Sequence, residues 1–574
     1  MIVLSFLMQV LSADDATTSS DDFLTSDCSA HCICYLSTSP VSTLPLRTVN
    51  CSDIIFTSTK FHLSHQTESL IVSGSRVDLP ILTAVLFRDG NQLRELVLSR
   101  GHLHSFDGLA APETLQSVVA SHNELVSLPD ATFVRIPSLT LLDLSNNRME
   151  VIHRYAFVGL KQLRQLDLSH NHLSGAFEGF RWVCELRHLE VLNLSHNGIH
   201  VLDDSTFACS QQPSMPLPRR WFKPDDSDST GLNASLRHLL VLDLSFNRIR
   251  HIHSGAFVGL GNIDEILLND NSLLGLPVHL VALTPDVKIW DLSGNEVDGL
   301  NPGSFKNNLW LQELRLNRIH RLRIVDDAAF VNLTSLRRLE LSHNRNLRYI
   351  SRSAFVDLPA LTALDVTDSG LDTLELQVVD SLPALRQLSV RGNPLTCDCT
   401  LLWFFRYIQD NVHLNTDLHQ HDVCSNDSTT LASYRPSQNS TAFSGNLYTN
   451  TRSIVTTDSQ LRWHSTSTTN DVVPNSTGIH FEVSESVQDS VTASSRCSPR
   501  ILALFDSEIH VTVTDILRID CRAVGVPSPT VSWLLPADVV DDVKTDNGDM
   551  SMPHGTQVED RVSFMPILYD YYHC

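Results

Sequence analysis

The sequence predicts a solenoid: short coils stacked so that a parallel β-sheet runs along one face, closed by disulfide caps and followed by a smaller β-sandwich. Three observations carry this expectation. An apolar pattern ending in asparagine recurs about every 24 residues through the middle of the 574-residue chain. Cysteines cluster just before and just after that stretch. A Cys…Trp…Tyr-x-Cys spacing occupies the end of the chain.

The repeat reads L-x-x-L-x-L-x-x-N. Clear copies start at Leu115, Leu139, Leu163, Leu189, Leu239, Ile263, Val287, Leu336 and Leu385, and weaker ones near Thr67 and at Leu93, Leu311 and Leu361. This is the leucine-rich repeat pattern, about 12–13 copies over residues 67–393. Its leucines alternate as in a strand and point inward, which turns the residues between them outward onto the concave face of the coil stack. Phe133, Phe157, Phe257, Phe330 and Phe355 fall where the opposite side of each coil needs apolar cover. One coil cannot bury enough surface to fold alone, so the coils must fold together, with a short helical or irregular convex side. The ninth-position residues Asn123, Asn147, Asn171, Asn197, Asn247, Asn271, Asn295, Asn344 and Asn393 should turn inward as a ladder, satisfying backbone groups left unpaired at the tight turn.

A stack of coils exposes its core at each end. Cys28, Cys32, Cys34 and Cys51 sit in an N-terminal cap (28–66); Cys397, Cys399 and Cys424 sit in a C-terminal cap (394–424) that Cys497 would close. Caps of leucine-rich repeat proteins with similar spacing join first to third and second to fourth. That resemblance implies Cys28–Cys34, Cys32–Cys51, Cys397–Cys424 and Cys399–Cys497. Zinc is the alternative, but Cys-x-Cys fits its usual spacing poorly. Cys184 and Cys209 bracket the start of an insertion (210–233) rich in Pro, Asp and Ser, and either pair with each other or stand as separate buried thiols.

Residues 2–11 (IVLSFLMQVL) are too few to span a bilayer and suit the core of a signal peptide (1–13), although no basic residue precedes them. The alternative is a buried strand or helix. Seven glycosylation triplets, at Asn50, Asn193, Asn233, Asn332, Asn426, Asn439 and Asn475, favour the secretory pathway. Residues 425–496 are rich in Ser and Thr and read as a disordered, glycosylated insertion.

From residue 499 to 574 the texture becomes β. Cys521, Trp533, Tyr572 and Cys574 match the immunoglobulin framework, implying a Cys521–Cys574 bridge between sheets. The strand that should follow Cys574 is missing, so this β-sandwich is expected to be incomplete.

Cap, repeats, cap and immunoglobulin-like domain in that order resemble the leucine-rich repeat neuronal protein family. The stretches FKNNLWLQELRLNR (305–318), NLRYISRSAFVDLPAL (346–361), VVDSLPALRQLSVRGNPLTCDC (378–399) and DCRAVGVPSPTVSWLLP (520–536) carry that resemblance. It implies a cell-surface glycoprotein of adhesion or receptor type. Such proteins continue into a fibronectin domain and a membrane helix, so a membrane tether is expected only if the chain continues past Cys574.

A net charge of −23 argues against nucleic acid or anionic lipid as the main partner. No cofactor motif, phosphate loop or metal-ligand set is evident, and no enzyme activity is expected. Ser-His-Asn recurs at 121–123, 169–171, 195–197 and 342–344, but neighbouring residues of a strand face opposite ways, so a Ser-His pair within one copy cannot react. His251-x-His253, in the turn after its strand, suits a solvated pair.

The outward column Asp143, Asp167, Asp243, Asp291, Glu340 and Asp365 is the candidate partner surface, flanked by Arg164, Arg337, Arg338 and Arg386. At about 4.8 Å per strand it is on the order of 50 Å long. It would take an extracellular or cell-surface protein bearing basic residues; alternatively, these acids merely solvate the sheet. A glycan on Asn193, in the same column, would obstruct the middle. The expected function is therefore non-enzymatic extracellular recognition, of adhesion or receptor type. The alternative is a secreted matrix or decoy-type binder.

Overall fold

The computed structural model describes residues 32–39, 42–52, 63–74, 77–89, 92–174, 180–204, 206–207, 236–276, 287–306, 308–395 and 404, together with backbone strands between 415 and 564. A continuous sheet organises the described residues. An antiparallel hairpin, Ile33–Ser39 with Ser42–Asn50, starts it, and every later pairing in it is parallel, from Ser69–Ile71 through Gln387–Ser389 to Asn415–Thr416.

Each coil adds a strand of only three residues, such as Leu141–Asp143 or Ala363–Asp365. The strand takes up positions three to five of the repeat, so the first and sixth apolar residues sit just outside it, still fully buried, as Leu139 and Leu144 do. The parallel strands of the coils run from Ser69–Ile71 to Gln387–Ser389. Its core is one continuous cluster from Val49 to Phe404. On the far side of the coils the aromatics form their own stack: Phe106, Phe133, Phe157 and Trp182 follow one another at 5.0, 5.9 and 5.2 Å between ring centres. Phe305, Phe330 and Phe355 repeat the arrangement later, at 5.6 and 5.5 Å.

All nine ladder asparagines are buried. Asn171 shows the pattern: its Nδ2 donates to the Leu144 and Leu168 carbonyls at 3.0 and 3.1 Å, and its Oδ1 accepts the Met149 N–H at 2.9 Å. The Leu144 and Leu168 carbonyls each also accept from a neighbouring ladder residue, Asn147 and Asn197. The Met149 N–H has no such second partner within the ladder. Replacing Asn171 by Ala should therefore cost about 1–3 kcal/mol, the penalty for that one buried donor. An unchanged denaturation midpoint for Asn171→Ala would show that the ladder does not hold the coils.

The strand Val191–Asn193 pairs directly with Val241–Asp243, so the enlarged coil between them does not interrupt the sheet. Cys184 lies in a short 3-10 helix, Arg181–Glu185, and is disulfide-bonded. Its partner, like Cys209 and the whole insertion, lies outside the described residues. Cys32 is joined to Cys51. Cys34 is also disulfide-bonded, with its partner outside the described residues, where Cys28 falls. Cys397, Cys399, Cys424, Cys521 and Cys574 lie outside them too, as do the leader, Asn233, Asn426, Asn439 and Asn475; of Cys497 only the backbone is described.

In the C-terminal region, Cys497–Leu502 pairs antiparallel with Arg522–Val526, and Leu517–Asp520 with Arg561–Phe564. His480–Glu485, within the stretch read as a disordered insertion, pairs with Pro529–Leu534, the strand that carries Trp533. The region is β-rich. Among the described residues no helix is long and apolar enough to cross a membrane.

Candidate protein-recognition face

The middle residue of each strand is buried, as Leu142, Leu166, Leu192 and Trp290 are. The first and third residues face out, because successive side chains of a strand alternate. The third residues stand in register across the sheet: Asp143, Asp167, Asn193 and Asp243, then Leu267 and Asp291, then Arg315, Glu340 and Asp365. All six acidic candidates therefore share one column.

Their first duty is local. One carboxylate oxygen of Asp143, Asp167, Asp243, Asp291 and Asp365 accepts the backbone N–H two residues on, at 2.8–3.0 Å. The recurrent Leu-Asp-Leu-Ser is thus partly a turn device, in which the aspartate caps the exit from its strand.

The two halves of the column differ in charge balance. In the later half, Arg315 contacts Asp291 at 3.5 Å and Glu313 at 2.7 Å. Arg338 bonds Glu340 at 2.6 Å, and the Asn317 amide donates to the same carboxylate at 2.7 Å. Burial pushes the Glu340 carboxyl up, but those hydrogen bonds and the arginine charges outweigh it and hold it below its ordinary value. Of the flanking arginines, Arg338 thus belongs to this network, whereas Arg164 pairs with Glu190.

In the earlier half, desolvation raises the Asp143 and Asp243 carboxyls. It pushes Asp167 up to about 6, with help from the neighbouring Asp143 charge. No described Lys or Arg is placed within ion-pair distance of Asp143, Asp167 or Asp243. Their charge is softened by hydroxyl and amide donors, including the Asn193 Nδ2 on Asp167 at 3.1 Å, and at Asp143 by His122.

That contact corrects the picture of Asn193 as a side chain standing free on the sheet. It is buried, its Nδ2 is engaged by Asp167 and its Oδ1 accepts the Ser195 N–H at 3.0 Å. A sugar on Nδ2 would have to displace the Asp167 bond. Mass spectrometry of the chain expressed through a secretory pathway should find Asn193 unmodified; full occupancy there would mean that the sheet face is built differently. Among the other described candidates, Asn50 is half-buried with its Oδ1 engaged by Ser52, and Asn332 is half-buried in a left-handed turn.

A second column escaped sequence reasoning. The residue just before each ladder asparagine is not in the strand but in the turn after it, with left-handed backbone: φ is 57° at His122, 53° at Asn146, 52° at His170, 53° at His196 and 53° at Phe246. The turn is held because each such N–H bonds the next coil, as His170 does to the Ser195 carbonyl at 3.0 Å. In the Ser-His-Asn triplets the serines are buried and the turn throws the histidines outward. In the copy at 342–344, however, the His343 Nδ1 lies 3.1 Å from the Ser342 Oγ, so the expectation that strand alternation keeps such a pair apart does not hold there: the histidine is in the turn and not in the strand. Coils stacked in register bring these side chains face to face. The His170 and His196 rings lie 4.0 Å apart and nearly parallel, and Phe246 continues the stack at 4.3 Å. Further along, Arg318 reaches past Gly294 to Asp270 at 2.8 Å. His251 is likewise not in a turn but in a two-residue strand paired with Val201–Leu202. Among the described residues no group of three or more His, Cys, Asp or Glu is placed to hold a metal ion.

A family profile described as leucine rich repeat matches residues 113–173, 227–273, 285–345 and 344–395, and a second of the same description matches 185–201. The chain is a leucine-rich repeat protein. It is 28% identical to Tsukushi of Gallus gallus over 288 residues, half of this chain and 75% of that protein. It is 31% identical to Toll-like receptor 8 of Homo sapiens over 132 residues, 22% of this chain and 13% of the receptor. Tsukushi of Xenopus tropicalis is 30% identical, with 55% of it covered. The chain thus spans well under two thirds of several of the relatives it matches. Among solved structures, the mouse RP105/MD-1 complex superposes with a TM-score of 0.51 over 65% of this chain and 58% of the other, at 22% identity. That likeness concerns the fold.

Proposed function

We propose that this leucine-rich repeat protein is a non-enzymatic extracellular recognition protein that binds a protein partner through its sheet face. The observation that carries this is the earlier half of the acidic column: Asp143, Asp167 and the more deeply set Asp243 stand in register on the sheet with no described Lys or Arg in ion-pair reach, whereas Arg315 and Arg338 engage Asp291, Glu313 and Glu340 in the later half. A face of this kind is a stable platform for a partner bearing Lys or Arg, large enough for an interface of about 1,200–2,000 Å². Relatives named as receptors, and the disulfide-tied hairpin at its start, support a secretory-pathway protein. The quoted stretches and the antiparallel strands after residue 497 support an immunoglobulin-like domain and an adhesion or receptor role of neuronal type.

A soluble matrix or decoy-type binder is the second reading. It is supported by coverage, since the match takes in 75% of chicken Tsukushi but 13% of the human receptor. Labelling intact cells that express the full transcript separates the two: protein held at the surface supports the first, protein only in the medium the second.

Val191 tests the face itself. It is half-buried at the first position of its strand, beside Asn193, and caps no turn. Val191→Arg should leave stability within about 0.5 kcal/mol, as surface changes do. It should abolish binding to cell-surface ectodomains that the unaltered chain captures on an array. Unchanged capture by the variant would remove the sheet face as the binding surface.

A further inference from the structure

We propose that the stacked column His170–His196–Phe246 is an acid-operated release edge for the sheet face, uncharged when a basic protein segment is bound at neutral pH and cationic when the surroundings acidify. This rests on the reading of that face given above and adds its regulation.

The geometry sets the behaviour. His170 and His196 project from consecutive coils and stack at 4.0 Å, and Phe246 covers the far face of His196 at 4.3 Å. His170 and Phe246 are exposed and His196 half-buried. Stacking of neutral rings is favourable; two protonated rings at that separation repel one another. Burial holds His170 and His196 below the ordinary histidine value near 6.5, so the column is uncharged at neutral pH and gains its charge as pH falls below that value. The column runs alongside the carboxylates. His122, two coils before His170, acts on Asp143 and on His170; Asp270, beyond Phe246, acts on His196 and is itself paired with Arg318. Asp143, Asp167 and Asp243 close the strands that lead into the turns of Asn146, His170 and Phe246, and Asn146 fills the gap between His122 and His170 without charge.

Acidification therefore acts twice at one place. Protons on His170 and His196 add positive charge along the edge. Asp167, already pushed up to about 6, loses negative charge over the same range. A partner segment held by Lys or Arg loses its attraction and meets repulsion. The sign for the fold follows as well. Burial holds His170 and His196 below their ordinary values, helped by the charge of His122 on His170 and of His170 on His196. Their stabilising contribution is therefore present above the unfolded value near 6.5 and is lost as pH falls through the folded value.

The test uses substitutes that this turn already accepts. Asn stands at position 146 and Phe at position 246 with the same left-handed backbone. The double variant His170→Asn/His196→Phe therefore keeps the turn and part of the stack but cannot titrate. The full secreted chain is immobilised and a labelled deca-lysine peptide is the probe, at pH 7.4 and 5.5 and constant ionic strength. The unaltered chain should bind at pH 7.4 and lose about tenfold in affinity at 5.5; the double variant should bind equally at 7.4 and lose about threefold or less. Retained affinity of the unaltered chain at 5.5, or an equal loss in the variant, overturns the proposal. Failure to bind at pH 7.4 strikes at the sheet face as an acidic platform. A partner-free measurement decides the histidine stack in that event. The thermal midpoint of the unaltered chain should fall relative to the variant between pH 7.5 and 5, and parallel profiles would overturn the switch.

Discussion

Replacing Cys32 by Ser is expected to stop secretion of the chain. Cys32 lies just before the opening hairpin and Cys51 just after it, 19 positions further along the chain. The bond closes the hairpin over the first parallel strand, Ser69–Ile71, and the cap contributes Leu46, Val49 and Cys51 to the buried core. Without it, the unfolded chain regains the freedom that a loop of this size had lost, and the open end of the solenoid loses its cover. The cost is about 2–5 kcal/mol, enough to abolish folding in many secreted domains. Blotting of medium against cell lysate reads the outcome. The double variant Cys32→Ser/Cys51→Ser should be retained as well, which excludes a stray thiol as the cause. Normal secretion of both would mean that the hairpin is a dispensable ornament on the first coil.

Gly370→Ala is expected to destabilise the solenoid by about 3 kcal/mol, the upper part of the range for overpacking. A methyl group there would stand 2.2 Å from the Arg345 carbonyl oxygen, 2.9 Å from its carbon and 3.2 Å from the Leu347 oxygen. These are backbone atoms, so no side-chain rotation relieves the clash. Two coils would have to separate where the Gly370 N–H bonds the Asn344 carbonyl and Asn344 itself belongs to the ladder. Gly261→Ala is the control, since a methyl group there meets nothing within 4 Å. Chemical denaturation should separate the two variants clearly; equal midpoints would show that the coils slide apart at little cost.

The sequence by itself determined the coil, its period, the inward leucines and the asparagine ladder. All of these follow from side-chain chemistry repeated at fixed spacing. A leucine at position four can only be buried when its neighbours three and five face water, and an amide nine residues in can only be buried if it feeds backbone groups. The six acidic residues were legible as one column for the same reason: register in a parallel sheet preserves position in the repeat. Even the Cys32–Cys51 bond was legible, though through likeness to known caps rather than through any property of the intervening residues.

Tertiary structure decided what those columns are worth. Nothing in the order of residues says that Arg315 reaches Asp291 or that Arg338 approaches Glu313, because those contacts cross from coil to coil. Nor does it say that Asn193 is spent on Asp167, or that the residue before each ladder asparagine leaves the strand. That last point depends on a left-handed turn, which is stabilised by the N–H of one coil meeting the carbonyl of the next. His170, His196 and Phe246 are 26 and 50 positions apart in pairs along the chain, and they become a stack only because coils of unequal length still place their strands in register. Local spacing specifies which side chains face out; stacking of the coils alone specifies which of them meet.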